Sequence, residues 1–413
     1  MTVVLDSADL DLSRFIRPGD TILVAEGSGE PLTLTEALIQ QRHALGGVRV
    51  FVGLGLSTTF SADRVDGLTM ASYGALGSTR RLADAGLLDI VPVGLGDIPG
   101  LLESGVMRFD VVLTSVAPAI EGRHPLGLMA LHVPAAIRHA RTVLAEINAQ
   151  VPQTRGVSIE ASRLTAVVYS DRALLISPAG AADPVIQAIA ANVASVVNDG
   201  ATLQLGVGAV PDAVCAQLRN HRDLGIHSGM LSDGLVDLIR RGVVTNRLKS
   251  QSPGVSVIGA VLGSEDSYRF VHQNPEIRME GVEVTHQSAH RETAMVSINS
   301  ALEVDVWGQV NAEVVGGRYI GAIGGQPQLC RAGRRSARGR GVIALPATAT
   351  ARDGDRISRI RLAAVERVTT SASDIDIVVT EYGVARLSGL GFSERRKALA
   401  AVAHPDFRDG FRQ

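Results

Sequence analysis

The chain has 413 residues, a length that predicts two or three domains rather than a single core. Its residues are 46% hydrophobic and 20% charged, as in folded globular proteins, and a net charge of −2 excludes an electrostatic basis for binding nucleic acid or an anionic membrane. The 44 glycines and an aromatic content of only 3% favour an α/β architecture with many tight strand-to-helix turns.

Cysteine usage and the first residues of the chain bear on its compartment. Cys215 and Cys330 are too few for a disulfide framework and fit a reducing environment. The stretch 1–15 lacks the basic region and the apolar run of a signal peptide. No window approaches about 18 uninterrupted apolar residues, the length that a membrane span needs. We therefore expect a cytoplasmic protein.

Short apolar runs typical of strands recur through the first half of the chain. A helical pattern covers 31–45, with Thr33 or Thr35 as the N-cap. Runs without strict alternation, separated by helices, are typical of a parallel sheet covered on both faces, so this half is predicted to be an α/β domain. The runs occupy 21–25, 48–54, 88–95, 109–118 and 142–149.

The second half repeats the pattern of the first. A small, Pro/Gly-rich stretch at 176–184 precedes a predicted helix at 185–197. The segment from Gly200 then resembles the segment from Gly19, since each is a strand, a glycine-rich turn, a proline and a helix. These features predict two related α/β domains, 1–182 and 183–413. The later strand runs occupy 255–261, 294–310, 341–348 and 374–385.

Two glycine-rich segments are candidates for ligand contact. The stretch QLGVGAVPDAV (204–214) runs from a strand into Gly206, Gly208 and Pro211 and then into a helix. Such a turn aims backbone N–H groups at negative charge, but a proline stands where a dinucleotide fingerprint needs its third glycine. The stretch YIGAIGGQPQLCRAGRRS (319–336) sets glycines before arginines, a pattern that suits phosphates or a thioester oxyanion. A plain βα turn and a surface loop are the alternatives.

Several ordered segments resemble one family, the acetyl-CoA hydrolase/transferase group of class I CoA-transferases, which includes 4-hydroxybutyrate CoA-transferases. The resemblance extends over nearly the whole chain. The segments are LDIVPVGLGDIPGLL (88–102), AEINAQVPQTRG (145–156), DGATLQLGVGAVPDAV (199–214), DLGIHSGMLSDGLVDLI (223–239), VSINSALEVDVWGQVNAE (296–313), IGAIGGQ (320–326), VVTEYGVARLSG (378–389) and AHPDFR (403–408).

The resemblance implies a fold, a site and an assembly. It implies two similar open α/β domains of the NagB/RpiA type, with the active site in the cleft between them and a homodimer or larger homo-oligomer. It also implies covalent catalysis, in which a glutamate in the segment written here as IHSGM attacks an acyl-CoA thioester and CoA then forms a glutamyl-CoA thioester. That glutamate position falls on Gly229, which has no side chain and cannot form an anhydride.

The resemblance also implies which residues bind CoA or the acyl group. Arg340 falls where the family often places a basic residue. The substrate is expected to be an acyl-CoA or related thioester, with no permanently bound cofactor and no metal, and a small carboxylate is a possible acceptor. The implied contacts are Gly206, Val207, Gly208, Ala209, Val210, Asn299, Ala322, Gly324, Gly325 and Arg340.

Other departures from the family pattern accompany Gly229. Gln328 and Leu329 stand where the family usually has Asp-Phe, and Arg386 stands where it usually has Asp. Several changes in one presumed cleft indicate altered chemistry more than the loss of one residue.

Candidate replacements for the glutamate lie in and beyond the stretch 221–235, which is predicted as a polar loop feeding a helix. His227 carries an imidazole, the group that most often activates water in enzymes, and Ser228 is a possible nucleophile, although both residue types more often serve structure in such a loop. Ser232 and Asp233 are further candidates, and Asp233 with Gly234 is typical of a turn.

Two further candidates lie outside this stretch. Glu313 stands where family members retain a carboxylate, as a support or a base. Cys330 is a possible thiolate beside Arg331, Arg334 and Arg335.

Three functions are compatible with the sequence. The first is an enzyme acting on an acyl-CoA or pantetheine thioester without a glutamyl-CoA intermediate, by hydrolysis or acyl transfer. The second is true acyl-CoA:carboxylate CoA transfer with another carboxylate, for instance Glu313. The third is a non-catalytic CoA-binding subunit.

Overall fold

A computed structural model describes residues 2–7, 9–177, 180, 183–206, 208–351 and 353–412. The chain forms two compact units. Unit 1 comprises the described residues of Met1–Pro178 together with Val257–Thr285 and Arg318–Gly324. Unit 2 comprises the described residues of Ala179–Ser256, His286–Gly317 and Gly325–Gln413.

The strands of the described residues are short, and most belong to parallel pairs. In chain order they are β1 Val3–Leu5, β2 Thr21–Val24, β3 Arg49–Val52, β4 Thr69–Ser72, β5 Leu88–Ile90, β6 Val111–Val116, β7 Arg123–Pro125, β8 Thr142–Asn148, β9 Ser158–Glu160, β10 Ala166–Ser170, β11 Thr202–Leu205, β12 Gly225–Leu231, β13 Ser256–Val261, β14 Ile277–Met279, β15 Met295–Ser300, β16 Glu303–Asp305, β17 Val310–Asn311, β18 Val314–Val315, β19 Arg318–Tyr319, β20 Arg340–Ala344, β21 Thr348–Thr350, β22 Arg356–Ser358, β23 Ile360–Arg361, β24 Ile377–Thr380 and β25 Gly383–Arg386.

The α-helices alternate with these strands. In chain order they are α1 Leu32–Gln41, α2 Thr79–Asp84, α3 Ile98–Glu103, α4 Val133–His139, α5 Pro184–Ala194, α6 Ala209–Gln217, α7 Asp233–Arg240, α8 Glu265–Val271, α9 Gln326–Arg335 and α10 Phe392–Val402. A π-helical turn spans Glu283–Gln287. In the part of the chain that the structure describes, no helix is long and apolar enough to cross a membrane.

Unit 1 is built on a parallel eight-stranded sheet with the order β1-β10-β8-β6-β2-β3-β4-β5. Its central strands β6 and β8 are buried along their whole length. This is the pattern expected from apolar runs without alternation. Leu34 and Leu38 of α1 pack with Ile22 and Val24 in the core of the unit.

Unit 2 contains a second sheet in which β12, β11, β15, β20, β24 and β25 follow one another. The first five are parallel, and β25 returns antiparallel beside β24. Helix α9 packs on β15 and β20, while α6 packs on α5, α7 and β15. Each unit therefore has a mixed α/β architecture with a parallel sheet, which confirms the predicted fold class.

The predicted repeat appears as a matching strand–turn–helix in the two units. In unit 1, β2 leads through Gly27–Gly29 into α1, and in unit 2, β11 leads past Gly206 and Gly208 into α6. In both, the turn lies at the carboxyl end of a central strand, where open α/β sheets bind their ligands.

Three local predictions need correction. Thr33 and Thr35 lie inside α1, which begins at Leu32, and the Thr33 N–H donates to Glu146 Oε2 over 2.7 Å, so a carboxylate of β8 replaces the expected cap. In the run 88–95 the strand β5 ends at Ile90, and Pro92, which has no N–H for a ladder, follows soon after. The stretch predicted as a loop at 221–235 contains the buried strand β12, which pairs with β11.

The division into units differs from the predicted continuous domains 1–182 and 183–413. Two later segments contact the strands and loops of the first half. The Val261 N–H donates to the Leu128 carbonyl over 2.8 Å, and the Ala75 N–H donates to the Gly321 carbonyl over 2.8 Å. These backbone hydrogen bonds tie the two segments into unit 1. The apolar pattern of the sequence does not predict such bonds.

A buried carboxyl group lies inside unit 1. Glu26 is 2% exposed, and burial raises the pKa of its carboxyl to about 7. The Tyr73 hydroxyl and the Leu54 N–H each donate to Glu26 Oε2 over 2.7 Å. An added Cβ at Gly53 would lie 1.4 Å from that same oxygen, so the carboxyl group occupies the space beside a glycine.

This raised pKa makes stability depend on pH. Between the unfolded pKa of 4.5 and the folded pKa of about 7, the folded chain keeps a proton that the unfolded chain releases, so the free energy of unfolding falls as pH rises. Relative to Glu26→Gln, the unmodified protein should lose about 3 kcal/mol of stability from pH 4.5 to 7.5. Urea unfolding at both pH values measures this. Glu103→Gln, at an exposed helix end, is the control, and an equal difference at both pH values would contradict the prediction.

Candidate functional site

Three predicted site residues lie at one level of the unit 2 sheet. Leu203 of β11 pairs with Ile226 of β12, and continuing this register sets Gly206 opposite Gly229. On the other side, the Gly206 N–H donates to the Ile298 carbonyl over 3.1 Å, and Asn299 follows Ile298 in β15. The sheet therefore brings Gly206, Gly229 and Asn299 together at the carboxyl end of β11.

The turn into α6 also lies at this end of β11. Gly208 precedes the helix with φ +118°, a conformation that L side chains rarely adopt, so glycine is required there. Ala209 and Val210 are the first helical residues, whose N–H groups have no partner within the helix and suit an anionic ligand. Val207, predicted to contact CoA, lies outside the described residues.

Gly229 lies in the middle of β12 against an imidazole ring. A Cβ added at Gly229 would lie 2.9 Å from His286 Cε1 and 3.3 Å from His286 Nε2. The three heavy atoms nearest to that point, within 4.0 Å, all belong to the His286 ring. The place of a side chain at position 229 is therefore taken by His286.

A second glycine also lies against the Nε2 edge of this ring. A Cβ added at Gly325 would lie 2.3 Å from His286 Nε2 and 2.4 Å from His286 Cδ2. Gly325 is the residue from which α9 starts, and His286 is 4% exposed within the π-helical turn Glu283–Gln287. We call the packing of the His286 ring between Gly229 and Gly325 the histidine clamp. Sequence reasoning missed His286, because a glycine does not reveal which side chain fills the space beside it.

His227 shares a face of β12 with Gly229, since side chains alternate along a strand. It is 1% exposed, and its Nδ1 lies 3.7 Å from Oε1 of the fully buried Glu292. Glu292 also accepts the N–H groups of Ser250 and Gln251 over 2.9 and 3.3 Å. His227 is thus held beside a carboxylate that fastens the neighbouring loop.

Ser228 faces the opposite side of β12 and connects it to β11. Its hydroxyl donates to the Leu205 carbonyl over 3.3 Å and accepts the N–H groups of Leu205 and Met230 over 3.4 and 3.3 Å. Ser228 is fully buried. These contacts give it a structural place at the strand end.

Asn299 belongs to a buried amide network. Its Nδ2 donates to Gln204 Oε1 over 3.0 Å and to Ser297 Oγ over 2.9 Å. Gln204 Nε2 donates back to Asn299 Oδ1 over 3.3 Å. The network fixes the amide beside Gly206, where a Cβ would lie 3.4 Å from Asn299 Oδ1.

Cys330 lies next to this network, and the idea that arginines make it a thiolate is wrong. The side chain is fully buried, and burial raises the pKa of its thiol to about 12. Arg331 instead pairs with Asp374, through Nε–Oδ1 at 3.0 Å and Nη2–Oδ2 at 2.7 Å. A thiol with this pKa stays protonated and is a poor nucleophile at neutral pH.

Glu313 is the second candidate from outside the stretch 221–235. It is 3% exposed and lies between β17 and β18. The Thr369 hydroxyl donates to its Oε2 over 2.6 Å. The next residue, Thr370, donates to Oε1 of Gln326, the first residue of α9, over 2.9 Å. These threonines connect the Glu313 segment to the helix start.

Ser232 and Asp233 form the beginning of α7. Ser232 is the N-cap residue, and Asp233 is an acidic residue in the first turn, where it interacts favourably with the helix dipole. Ser232 also hydrogen-bonds Asp212, and burial raises the pKa of the Asp212 carboxyl despite this bond. Ser232 and Asp233 thus both lie at the helix start.

The remaining predicted CoA contacts are divided between the two units. Ala322 and Gly324 belong to unit 1, where the Leu95 N–H donates to the Gly324 carbonyl over 2.9 Å. Arg340 begins β20 and pairs with Val296, so it lies about 10 Å along the sheet from the level of Asn299, at the amino ends of the strands. Unit 2 therefore does not bring Arg340 together with Gly206 and Gly229.

Two residues that depart from the family pattern differ in their burial. Leu329 of α9 is 3% exposed and packs with Ala289, Met295 and Ala332 in the unit 2 core. Arg386 is exposed at the end of the edge strand β25.

Family models match both parts of the chain. The acetyl-CoA hydrolase/transferase N-terminal domain matches residues 8–177, and the C-terminal domain of the same name matches residues 263–413. The chain belongs to the acetyl-CoA hydrolase/transferase family. It is therefore an enzyme of the acyl-CoA transferase and hydrolase kind.

Two relatives of this chain are named for CoA transfer and for acetyl-CoA hydrolysis. The 4-hydroxybutyrate coenzyme A transferase of Clostridium kluyveri is 36% identical over 397 residues, covering 94% of this chain and 92% of that protein. An acetyl-CoA hydrolase of Candida glabrata is 24% identical over 380 residues, covering 84% of this chain and 66% of that protein.

A solved structure supports the fold. The crystal structure of RipA from Yersinia pestis has a TM-score of 0.90 and 32% identity, covering 97% of this chain and 94% of that one. Together with the two family models, this likeness confirms the predicted class I CoA-transferase fold, while the identity of the residue that other family members carry at position 229 stays a prediction.

The histidine clamp predicts a coupling between positions 229 and 286. Gly229→Ala places a methyl group 2.9 Å from the His286 ring and should destabilise the protein by about 1–3 kcal/mol, as overpacking does. In a His286→Ala background the same substitution should cost nothing or stabilise the strand. Urea unfolding of the four proteins measures the coupling energy.

Gly391→Ala is the matched control for this cycle. Its Cβ would lie 3.8 Å from Glu394 Oε2, an ordinary contact, so its effect should be equal in both backgrounds. Additive effects of Gly229→Ala and His286→Ala would contradict the clamp.

Proposed function

We propose that this enzyme acts on an acyl-CoA, or a similar pantetheine thioester, without forming a glutamyl-CoA intermediate. The observation that carries the proposal is the surrounding of Gly229: position 229 has no carboxylate, and an imidazole packs where its side chain would begin. The relatives named as a CoA-transferase and as an acetyl-CoA hydrolase support the thioester as substrate.

The chemistry follows from what a glycine cannot do. A carboxylate nucleophile conserves the thioester's energy by passing the acyl group and then CoA through covalent bonds to the enzyme. With no carboxylate at 229, the acyl group goes directly to water or to a nucleophile of a second substrate. Hydrolysis, or acyl transfer, is the resulting reaction, and no carboxylate acceptor is required.

The glycine turns supply the binding surface for this reaction. The N–H groups at the start of α6, after Gly208, and at the start of α9, after Gly325, have no partners within their helices. Such N–H groups stabilise the oxyanion of a tetrahedral intermediate or the phosphates of CoA. CoA is bound as part of the substrate, and the family resemblance favours a homodimer or larger homo-oligomer as the assembly.

CoA transfer through Glu313 is the second candidate. The buried carboxylate of Glu313 is connected through Thr369 and Thr370 to the first residue of α9. Against this role, Oε2 of Glu313 already accepts the Thr369 hydroxyl, and the atoms nearest to position 229 belong to His286.

A panel of acyl-CoAs, incubated with and without acetate or succinate, tests the proposal. Free thiol should appear without an acceptor, the acceptor should change its rate little, and the protein should keep its mass. Glu313→Gln should retain thiol release, because Glu313 has no covalent role in the proposed reaction. Acceptor-dependent exchange without net thiol, a CoA adduct on the protein, or no turnover of any thioester would contradict it.

A further inference from the structure

We propose that His286 is the catalytic general base of this enzyme and that it activates the water that attacks the thioester. The inference rests on the proposed function. It assigns a role to a side chain that lies in a different part of the chain from the IHSGM segment and that the structure brings to it.

The His286 ring turns its Nε2 edge toward the two glycines. Of the ring atoms near position 229, Cε1 and Nε2 are the closest, at 2.9 and 3.3 Å from an added Cβ, while Nδ1 lies 4.0 Å away. The edge that carries Nε2 therefore faces both Gly229 and Gly325. A side chain at either glycine would push this edge away, so the two glycines are needed for the ring to occupy this position.

The depth of the ring favours a base over a direct nucleophile. The nearest atom of the imidazole lies 2.9 Å from the point where a side chain at position 229 would have its Cβ. A glutamate carboxylate lies two bonds beyond its Cβ. A water molecule that donates a hydrogen bond to a ring nitrogen, at about 2.8 Å, extends the reach of the ring by a comparable distance.

The backbone around His286 is unusual in a way that suits a functional residue. The turn Glu283–Gln287 is π-helical, a rare conformation that occurs frequently at functional sites. The preceding Thr285 is fully buried, and both its N–H and its hydroxyl donate to the Gly281 carbonyl, over 3.0 and 3.2 Å. These two hydrogen bonds anchor the residue that directly precedes His286.

The acidic groups on the elements around His286 have other partners. Glu283, in the same π-helical turn, forms an ion pair with Arg138. Glu292, beside His227 of β12, accepts the N–H groups of Ser250 and Gln251. Neither carboxylate is placed as a nucleophile. His227, the other histidine on this face of β12, lies beside Glu292, and His286 is the imidazole that packs against Gly229.

The reaction balances without any further reagent. A ring nitrogen of His286 takes a proton from water, and the oxygen forms a bond to the thioester carbonyl carbon. The tetrahedral intermediate then collapses with cleavage of the C–S bond, and the imidazolium returns the proton to the CoA sulfur. The products are the carboxylic acid and CoA thiol.

His286→Asn and His286→Gln test this role in the full-length protein. Both should lower kcat for acyl-CoA hydrolysis by about 100-fold or more, the usual contribution of a general base, while KM changes little. The fall of kcat at acidic pH in the unmodified enzyme should be absent from the residual activity of the variants. The two variants keep different amounts of the ring's volume, so one that fails to fold leaves the other to be measured.

His290→Gln is the matched control, since His290 is exposed, four residues along the same segment, and bonded through Nδ1 to the Gln287 carbonyl. It should retain the kcat and the pH profile of the unmodified enzyme.

Three outcomes would overturn the role of His286. If the unmodified enzyme releases thiol but the folded His286 variants keep its kcat and its fall of kcat at acidic pH, the role of His286 is overturned and the proposed function stands. If the unmodified enzyme releases no thiol from any acyl-CoA, both are overturned. An acyl group trapped on His286 would overturn the base role in favour of a nucleophilic one.

Discussion

The packing of the His286 imidazole against Gly229 and Gly325 is the contact on which the site depends. A methyl group at Gly229 would approach the ring to 2.9 Å, and one at Gly325 would approach it to 2.3 Å, so both positions must lack a side chain while the ring remains. One glycine belongs to a central strand and the other to the start of α9. The ring therefore fixes the distance between a strand and a helix start that are both expected to face substrate.

The parallel sheet makes this contact possible. In a parallel arrangement the carboxyl ends of the strands collect at one edge, and this edge of unit 2 holds Gly206, Gly229 and Asn299 at one level. The amide network of Gln204, Ser297 and Asn299 keeps neighbouring strands in register with hydrogen bonds as short as 2.5 Å. These hydrogen bonds hold Asn299 beside Gly206 at the strand end, and the proposed chemistry places a base and a water at the same end.

Much of this arrangement can be predicted from the sequence, and the limits have physical causes. Apolar runs and helical periodicity predict the parallel sheets, because burial on both faces leaves a direct signature in composition. The glycines at 206, 208 and 229 could be named from motifs. His286 could not, because the space beside a glycine is filled by a residue distant in sequence, and the π-helical turn that carries it has no recognised pattern. The basic Arg340 matched a motif but begins a strand, which puts it at the other edge of the sheet.

Water labelled with oxygen-18 shows which atom attacks the thioester when the enzyme turns over many molecules of an acyl-CoA. The account predicts one labelled oxygen in each released acid and none in the protein, because water attacks the thioester carbonyl itself and no enzyme carboxylate carries CoA. Label in a protein carboxylate, at Glu313 or elsewhere, or its absence from the released acid, would contradict the account.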